Sequence, residues 1–217
     1  MTTPRADEGE ATIVVIDDDA SVREALRGLF ESVGLRTEAH GSVQSYLSVP
    51  GPAGPCCIVL DIRLPGQSGL EFQEALSKSD IAQSVVLISA HVDVQMAVRA
   101  MRAGAIDVLT KPVREQDLLE AVNRALGRAG ERRSVLERDA VLRSRYATLT
   151  DRERQIMTLV SAGLLNKQIA DRVHVTEATV KLHRSQVMRK MEAASLPDLV
   201  RMADRLAEGG TVPRSQG

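Results

Sequence analysis

Short apolar runs alternate with segments of helical spacing through the first 130 residues of the chain. The β-branched run ATIVVI at residues 11–16 predicts a strand, and the apolar positions of residues 20–34 predict a helix that ends at Gly34. The alternation continues to a helix that begins near Arg114, which gives five predicted strands and five predicted helices. This pattern is typical of a doubly wound, parallel α/β sheet with both faces covered.

Only helical patterns occur in the last part of the chain. Segments separated by two to five residues predict a small all-α domain, and they are 151–163, 166–173, 177–191 and 197–209.

Residues 127–147 extend the fifth helix with strong helix formers and little core pattern. We interpret them as a helical linker, and the pattern leaves open whether it dimerises or is a solvated extension. The predicted organisation has five parts: a disordered N-terminus (1–10), an α/β domain (11–126), the linker (127–147), a helical domain (148–208) and a disordered tail (209–217).

Charge is divided unevenly along the chain. Residues 1–130 carry 12 Lys and Arg against 18 Asp and Glu, a net charge of -6, whereas residues 131–217 carry 16 against 11, a net charge of +5. This asymmetry suggests two domains with different partners, the basic one being a candidate for nucleic acid. A polar N-terminus and the lack of a long apolar stretch predict a cytoplasmic protein without membrane contact. Adjacent Cys56 and Cys57 predict free, buried thiols.

Polar side chains stand at the carboxyl ends of four predicted strands. In a doubly wound sheet these ends converge on one edge. Carboxylates that meet there would repel each other unless they hold a hard cation such as Mg²⁺, which takes oxygen ligands. A lysine and a serine hydroxyl beside them suit the oxygens of a phosphoryl group. The residues are Asp17, Asp18 and Asp19 after the first strand, Asp61 at the third, Ser89 at the fourth and Lys111 after the fifth.

Asp61 is therefore the candidate nucleophile for phosphoryl transfer, with Mg²⁺ neutralising charge. Each group taken alone has an ordinary explanation, since an aspartate before a helix is a common cap, as we expect for Asp19. Ser89 alone is an ordinary loop residue. The ordered set favours a phosphoryl-accepting pocket.

Four segments resemble the receiver domain of two-component response regulators, most closely those of the NarL/FixJ family. They are IVVIDDDASVREAL, VLDIRLPGQSGLE, VVLISAH and MRAGAIDVLTKPV, and the resemblance covers about residues 11–127. It implies a flavodoxin-like fold and a sensor histidine kinase as the source of the phosphate on Asp61.

The same resemblance implies a role for each polar residue at the strand ends. Asp18 and Asp61 would bind Mg²⁺ directly with the backbone carbonyl of Arg63, and Asp17 would act through a water. Ser89 and Lys111 would contact the phosphate. One position departs from the family pattern: Val108 stands at the switch position, where an aromatic residue usually swings inward on activation. This departure affects the inward movement that would follow phosphorylation, and it leaves the phosphorylation chemistry intact.

The basic part contains two helices around a short turn, with Thr176 as a natural N-cap of the second helix. On that helix Val180, Val187 and Met191 share one face, which suits a core. Leu182 lies on another face, where a helix in the major groove can use it against a thymine methyl group. Basic residues supply charge for phosphates and guanine edges, namely Lys181, Arg184, Arg189 and Lys190. The alternative is a helical bundle whose basic face binds an acidic protein.

The segment LTDRERQIMTLVSAGLLNKQIADRVHVTEATVKLHRSQVMRKM resembles the LuxR-type helix-turn-helix domain, over about residues 149–207. The resemblance implies a recognition helix at 177–190 and dimers through the last helix. It implies base contacts from Lys181, Leu182 and Ser185, and phosphate contacts from Thr179 and Arg184. Two positions depart from the pattern: His174 replaces a usual Gly, and Leu165 a small polar residue. His tolerates positive φ better than most residues.

Together these features predict a transcription regulator and not an enzyme in the usual sense. The implied partners are a sensor histidine kinase, the major groove of double-stranded DNA, a second copy of the chain on activation, and RNA polymerase. One alternative is an aspartate-dependent phosphatase of the haloacid-dehalogenase type, built on Asp17 and Asp19. The other is a receiver that works without phosphorylation.

Overall fold

The structure is a computed structural model that describes residues 10–78 and 83–208. The segments predicted to be disordered, apart from Glu10, lie outside these residues. The chain divides into two compact units, Met1–Ser134 and Val135–Gly217, called here the first unit and the second unit.

The first unit contains a parallel five-stranded sheet with the order β2-β1-β3-β4-β5. This confirms the doubly wound, flavodoxin-like α/β fold. The strands are β1 (Thr12–Ile16), β2 (Arg36–His40), β3 (Cys56–Asp61), β4 (Gln83–Ser89) and β5 (Asp107–Thr110). The helices are α1 (Ala20–Ser32), α2 (Val43–Leu47), α3 (Gly69–Ser77), α4 (Val94–Arg102) and α5 (Glu115–Ala147). The first helix ends two residues before Gly34, which closes its last turn with a φ of 80°.

Alternate residues of the strands feed two apolar clusters, one on each face of the sheet. Ile58 and Leu60 pack with α2, α3 and α4, whereas Cys57 and Val59 pack with α1 and α5. Cys56 and Cys57 are both free and buried, as predicted. Burial raises the pKa of the Cys56 thiol to about 12.

The second unit is built from helices around a single apolar cluster. Its described helices beyond α5 are α6 (Asp151–Ser161), α7 (Asn166–Val173), α8 (Glu177–Met191) and α9 (Leu196–Glu208). The end of α5 is part of this unit, because Leu142 is buried in its cluster. In addition, Asp139 accepts a hydrogen bond from Arg205 of α9. The predicted linker thus lies wholly within α5, and its residues from Val135 onward pack in the second unit.

Within the described part of the chain, no helix has both the length and the apolar character needed to cross a lipid bilayer.

Candidate functional site

Three carboxylates come together at the carboxyl edge of the sheet. One oxygen from each of Asp17, Asp18 and Asp61 lies within 4.8 Å of the other two. The pairing of β1 with β3 causes this, since it sets Ile16 opposite Leu60 and so brings the two strand ends side by side. Asp17 and Asp61 are buried, and Asp18 is exposed. We call these three residues the acid cluster.

Lys111 reaches the acid cluster from the end of β5. Its Nζ atom donates to Asp17 Oδ2 at 2.6 Å and to Asp61 Oδ2 at 2.5 Å. Burial raises the pKa of the Asp17 carboxyl, and the hydrogen bond from Lys111 offsets only part of the rise. Burial alone would lower the pKa of Lys111, but the bonds to both aspartates outweigh it and the pKa is raised. The ammonium therefore stays charged and compensates one of three negative charges.

The loop after β3 is fastened to Asp61. The backbone N–H of Arg63 donates to Asp61 Oδ1 at 2.8 Å, which fixes the rotation of the carboxylate. Gly69, at the start of α3, lies directly against the backbone of the same residue, because a Cβ at Gly69 would stand 2.1 Å from the Asp61 carbonyl oxygen. Sequence reasoning missed this glycine, since no local pattern reports so close an approach.

Ser89 and Val108 lie near the same edge but do not bond to the acid cluster. Ser89 is fully buried at the end of β4, and its hydroxyl donates to the carbonyl of His91 at 3.2 Å. Val108 lies on β5 and packs, partly buried, against the apolar cluster that contains Leu60.

Asp19 lies outside the acid cluster and caps α1, as expected. Its carboxylate accepts hydrogen bonds from the N–H groups of Ser21 and Val22 and from the Ser21 hydroxyl. Sequence reasoning missed Arg23, whose Nη1 atom donates to the carbonyls of Asp17 and Asp18. The available signal was its place in the first turns of α1, because helical side chains lean toward the N-terminus and so cover the preceding loop.

In the second unit, α8 presents a buried face and a polar face. Val180, Val187 and Met191 are buried in the core, as predicted, whereas Leu182 is 58% exposed. Thr176 caps the helix by accepting from Thr179 N–H. Thr176, Lys181, Ser185 and Arg189 are exposed, and Thr179, Arg184 and Lys190 are half-buried.

Two of the basic side chains of α8 have partners inside the unit. Arg184 Nη1 donates to the side-chain oxygen of Asn166 at the start of α7. Lys190 Nζ donates to Glu153 Oε2 at 2.6 Å and to the carbonyl of Thr148 at 3.2 Å. The Nζ atom of Lys190 is therefore engaged with α6 and its N-terminal loop.

Glu153 is a buried carboxylate that is bonded both to the N-cap of α6 and to α8. It accepts from Thr150 N–H at 2.7 Å, while its own N–H donates to Thr150 Oγ1, which completes a capping box. Burial acts to raise the pKa of Glu153, but the bonds from Lys190 and Thr150 outweigh it and the pKa is lowered. Sequence reasoning missed this residue, although the T-x-x-E spacing of Thr150 and Glu153 was the signal.

The two departures in the second unit are accommodated locally. His174 adopts the left-handed conformation, with φ 54° and ψ 53°, in the turn between α7 and α8. Leu165 is 69% exposed and offers no side-chain acceptor at the start of α7. Its N–H is held instead by Gln168 Oε1 at 2.8 Å.

Two family models match the chain, one in each part. The first is described as response regulator receiver domain and matches residues 13–123. The second is described as bacterial regulatory proteins, luxR family, and matches residues 147–203.

Individual proteins match both parts together. The chain is 45% identical over 197 residues to nodulation protein W of Bradyrhizobium diazoefficiens, covering 91% of this chain and 87% of that protein. It is 42% identical over 189 residues to transcriptional regulatory protein FixJ of Azorhizobium caulinodans, covering 87% and 90%. The solved structure of the response regulator StyR is similar with a TM-score of 0.81 at 42% identity, covering 90% of this chain and 99% of that chain.

Proposed function

The chain belongs to the NarL/FixJ family of response regulators, two-component transcription regulators with a receiver domain and a LuxR-type DNA-binding domain, and on this premise we propose that Asp61 is its phosphoryl acceptor. The donor is a sensor histidine kinase. The observation that carries the proposal is the acid cluster, in which three carboxylates meet around the single ammonium of Lys111.

The carboxylate of Asp61 supplies the nucleophile. One of its oxygens forms a bond to phosphorus while the bond from phosphorus to the nitrogen of the donor histidine breaks. The electron pair of the broken bond leaves with the imidazole. Lys111 already donates to Asp61 Oδ2, so we propose that its ammonium follows the developing charge onto a phosphoryl oxygen.

The acid cluster suits Mg²⁺ by its donor chemistry. Its side chains offer only oxygen atoms, and three carboxylates against one ammonium leave two negative charges uncompensated. We propose that Asp18 and Asp61 bind the ion directly with the Arg63 carbonyl, and that Asp17 acts through a water. The bound ion supplies charge neutralisation and orientation for the oxygens of the phosphoryl group.

Ser89 is proposed to contact the phosphoryl group once its hydroxyl leaves the carbonyl of His91. Val108 carries no aromatic ring that could swing inward, so the response in this chain rests on Ser89 and Lys111.

For the second unit we propose that α8 enters the major groove. Lys181, Leu182 and Ser185 lie on its open faces and are proposed as base contacts. Thr176, Thr179, Arg184 and Arg189 are proposed as phosphate contacts, which fix register and orientation. The working boundaries are 11–126 for the receiver domain and 148–208 for the DNA-binding domain.

We further propose that phosphorylation favours a homodimer and that RNA polymerase is a downstream partner. A dimer sets two recognition helices on one duplex, so the half-sites should repeat at about 34 Å, one helical turn.

The test compares Asp61→Asn with Asp19→Asn, which removes the same charge from a carboxylate outside the acid cluster. Each full-length chain is incubated with acetyl phosphate and Mg²⁺, and phosphorylation is measured by intact mass. The wild type and Asp19→Asn should be labelled, and Asp61→Asn should not, because an amide is not a nucleophile. Label that persists on Asp61→Asn would place the acceptor elsewhere.

The two alternatives predict different outcomes. A phosphatase built on Asp17 and Asp19 needs both carboxylates at the reaction centre, but Asp19 is engaged in capping α1. Such an enzyme would turn over a generic phosphate monoester, and a response regulator would not. A receiver that works without phosphorylation would bind its operator equally well as Asp61→Asn and as wild type treated with acetyl phosphate.

A further inference from the structure

We propose that Arg23 is a positioning residue that directs the carboxylate of Asp18 toward the metal ion. Its Nη1 atom donates to two consecutive backbone carbonyls, that of Asp17 at 2.8 Å and that of Asp18 at 2.9 Å. The inference rests on the proposed magnesium site. It attributes the orientation of one proposed ligand, Asp18, to a side chain that contacts neither the ion nor the phosphoryl group.

The two carbonyls need a donor because they lie in the turn before α1 begins. Two N–H groups of this turn have backbone or aspartate partners: Asp17 N–H donates to the His40 carbonyl at 3.2 Å, and Asp19 N–H donates to Asp17 Oδ1 at 2.9 Å. The carbonyl of Asp19 accepts the first helical bond from Arg23 N–H at 3.1 Å. For the carbonyls of Asp17 and Asp18, the donor found among the described residues is the guanidinium of Arg23. The contact with the Asp17 carbonyl is part-buried and that with the Asp18 carbonyl is exposed. One guanidinium nitrogen that bridges both carbonyls restricts the path of the turn more than separate waters would.

Of the three carboxylates in the acid cluster, Asp18 depends most on that path. Asp17 is held by Lys111 and Asp19 N–H, and Asp61 is held by Lys111 and Arg63 N–H. In residues 10–78 and 83–208, the structure shows no hydrogen bond to the exposed carboxylate of Asp18. Peptide units are planar, so fixing the carbonyls of Asp17 and Asp18 fixes the units on both sides of the Asp18 Cα atom. The direction of its side chain follows.

Arg23 also carries a permanent positive charge, which it places on the backbone of two residues of the acid cluster. Charge alone would moderate their repulsion, whereas positioning requires that the guanidinium reach both carbonyls. Lysine separates the two effects, since it keeps the charge on a side chain one atom shorter.

The experiment measures Mg²⁺ binding to the full-length chain by titration calorimetry. The variants are Arg23→Gln, Arg23→Lys and, as a matched control, Arg27→Gln, whose arginine lies one turn further along α1 and faces Glu24 at 3.9 Å. We expect Arg23→Gln and Arg23→Lys to bind Mg²⁺ about 10-fold more weakly, at the lower end of the ~10–100-fold losses typical of residues that support metal ligands. Arg27→Gln should bind as the wild type does.

Two further readouts separate positioning from a general loss of structure. Thermal unfolding in metal-free buffer should be similar for all four chains. Labelling by acetyl phosphate should be slow for the Arg23 variants at low Mg²⁺ and should recover toward the wild-type rate at saturating Mg²⁺. If Arg23→Gln does not fold, Arg23→Lys carries the test.

Wild-type Mg²⁺ affinity in Arg23→Lys would mean that charge alone matters and would overturn the positioning role, as would wild-type affinity in Arg23→Gln. If the wild-type chain itself binds no Mg²⁺, the proposed magnesium site fails, and this inference fails with it. The wild-type titration therefore distinguishes the two failures.

Discussion

Each unit of the molecule contains a lysine ammonium bonded to a buried carboxylate, but the surroundings of the two pairs differ. In the first unit, Lys111 Nζ lies 2.5 Å from Asp61 Oδ2. In the second, Lys190 Nζ lies 2.6 Å from Glu153 Oε2. Lys111 faces an acid cluster of three carboxylates, whereas the single carboxylate of Glu153 accepts from its lysine and from the N–H of Thr150. The two nitrogen–oxygen distances are nearly equal, but the number of carboxylates around each lysine differs.

This difference distinguishes the site that we propose for a cation and a phosphoryl group from an ion pair that belongs to the fold. A buried ion pair by itself is weak evidence for function, because it can equally be a satisfied part of the fold. The one charge of Glu153 is matched by Lys190, so this pair links α6 to α8. Around Asp61 three carboxylates face the one ammonium of Lys111, and this excess of negative charge suits the magnesium site that we propose there.

The largest effect is expected on the exposed face of α8, away from both pairs. Leu182→Ala should weaken specific DNA binding by about 1–3 kcal/mol and relax the choice at one base pair, because an apolar contact to a thymine methyl is lost. Lys181→Ala should lose a similar amount. The measurement is affinity for an operator recovered by selection from random sequence, with Val141→Ala as the control for an exposed apolar residue. Equal weakening on all sequences would argue against a base contact by Leu182.

The next effect tests the balanced pair. Glu153→Gln keeps a side chain that can complete the capping box but removes the charge opposite Lys190. The unfolding free energy of the second unit should fall by about 2 kcal/mol, below the ~3–5 kcal/mol for fully buried pairs, because Lys190 is 27% exposed and can regain water. Hydrogen exchange read by mass spectrometry resolves the two units. Glu177→Gln, an exposed carboxylate in the first turn of α8, is the control; an equal loss there would contradict a special role for Glu153.

A smaller effect of opposite sign is expected in the acid cluster. Asp18→Asn removes one of the excess carboxylates and leaves the bonds of Lys111 intact. In metal-free buffer it should raise the unfolding free energy of the first unit by about 1 kcal/mol, the scale of repulsion between unit charges about 4 Å apart in water. Hydrogen exchange read by mass spectrometry gives this change in unfolding free energy. Asp93→Asn is unsuitable as a control, because Asp93 caps α4. Glu24→Gln on the exposed side of α1 serves instead. Destabilisation by Asp18→Asn would contradict the reading of the cluster as over-charged.

The smallest effect is a difference in pH dependence between the units. The pKa of Glu153 is lowered from 4.5, so its contribution to stability is present above that value and is lost as the pH falls through the pKa in the folded state. The pKa of Asp17 is raised from 3.8, so protonation of Asp17 increases the unfolding free energy of the first unit as the pH falls toward that value. The pKa values of Asp19 and Glu74 in the first unit are also lowered, but their hydrogen bonds are exposed to solvent and contribute little to stability. In metal-free buffer the second unit should therefore lose stability sooner on acidification. Glu153→Gln should flatten the pH profile of the second unit, and Asp151→Asn, with a fully exposed side chain, should not; parallel profiles in the two units would exclude this assignment.

Local signals made parts of the second unit predictable from sequence. The predicted bounds of α7 and α8 agree with the structure, because Thr176 caps the start of α8 and left-handed residues, His174 and Glu192, follow the two helix ends. In the first unit the alternation of strands and helices was enough to bring Asp17, Asp18 and Asp61 to one edge.

What the sequence could not give depends on how side chains meet once the chain is folded. The hydroxyl of Ser89 turns to His91, and Lys190 turns to Glu153, according to rotamers that no spacing rule contains. The approach of Gly69 to the Asp61 carbonyl depends on how α3 packs at the end of β3.

The adjacent cysteines of β3 give the chain a chemical reporter of its own. Cys56 and Cys57 are buried on opposite faces of the sheet. A thiol reagent needs both access and a thiolate, so it will modify them only when the strand opens. The sequence contains no other cysteine, so a thiol reagent does not modify the second unit. The modification rate of the untagged chain consequently measures the opening free energy of the first unit alone, even while the second unit is bound to DNA.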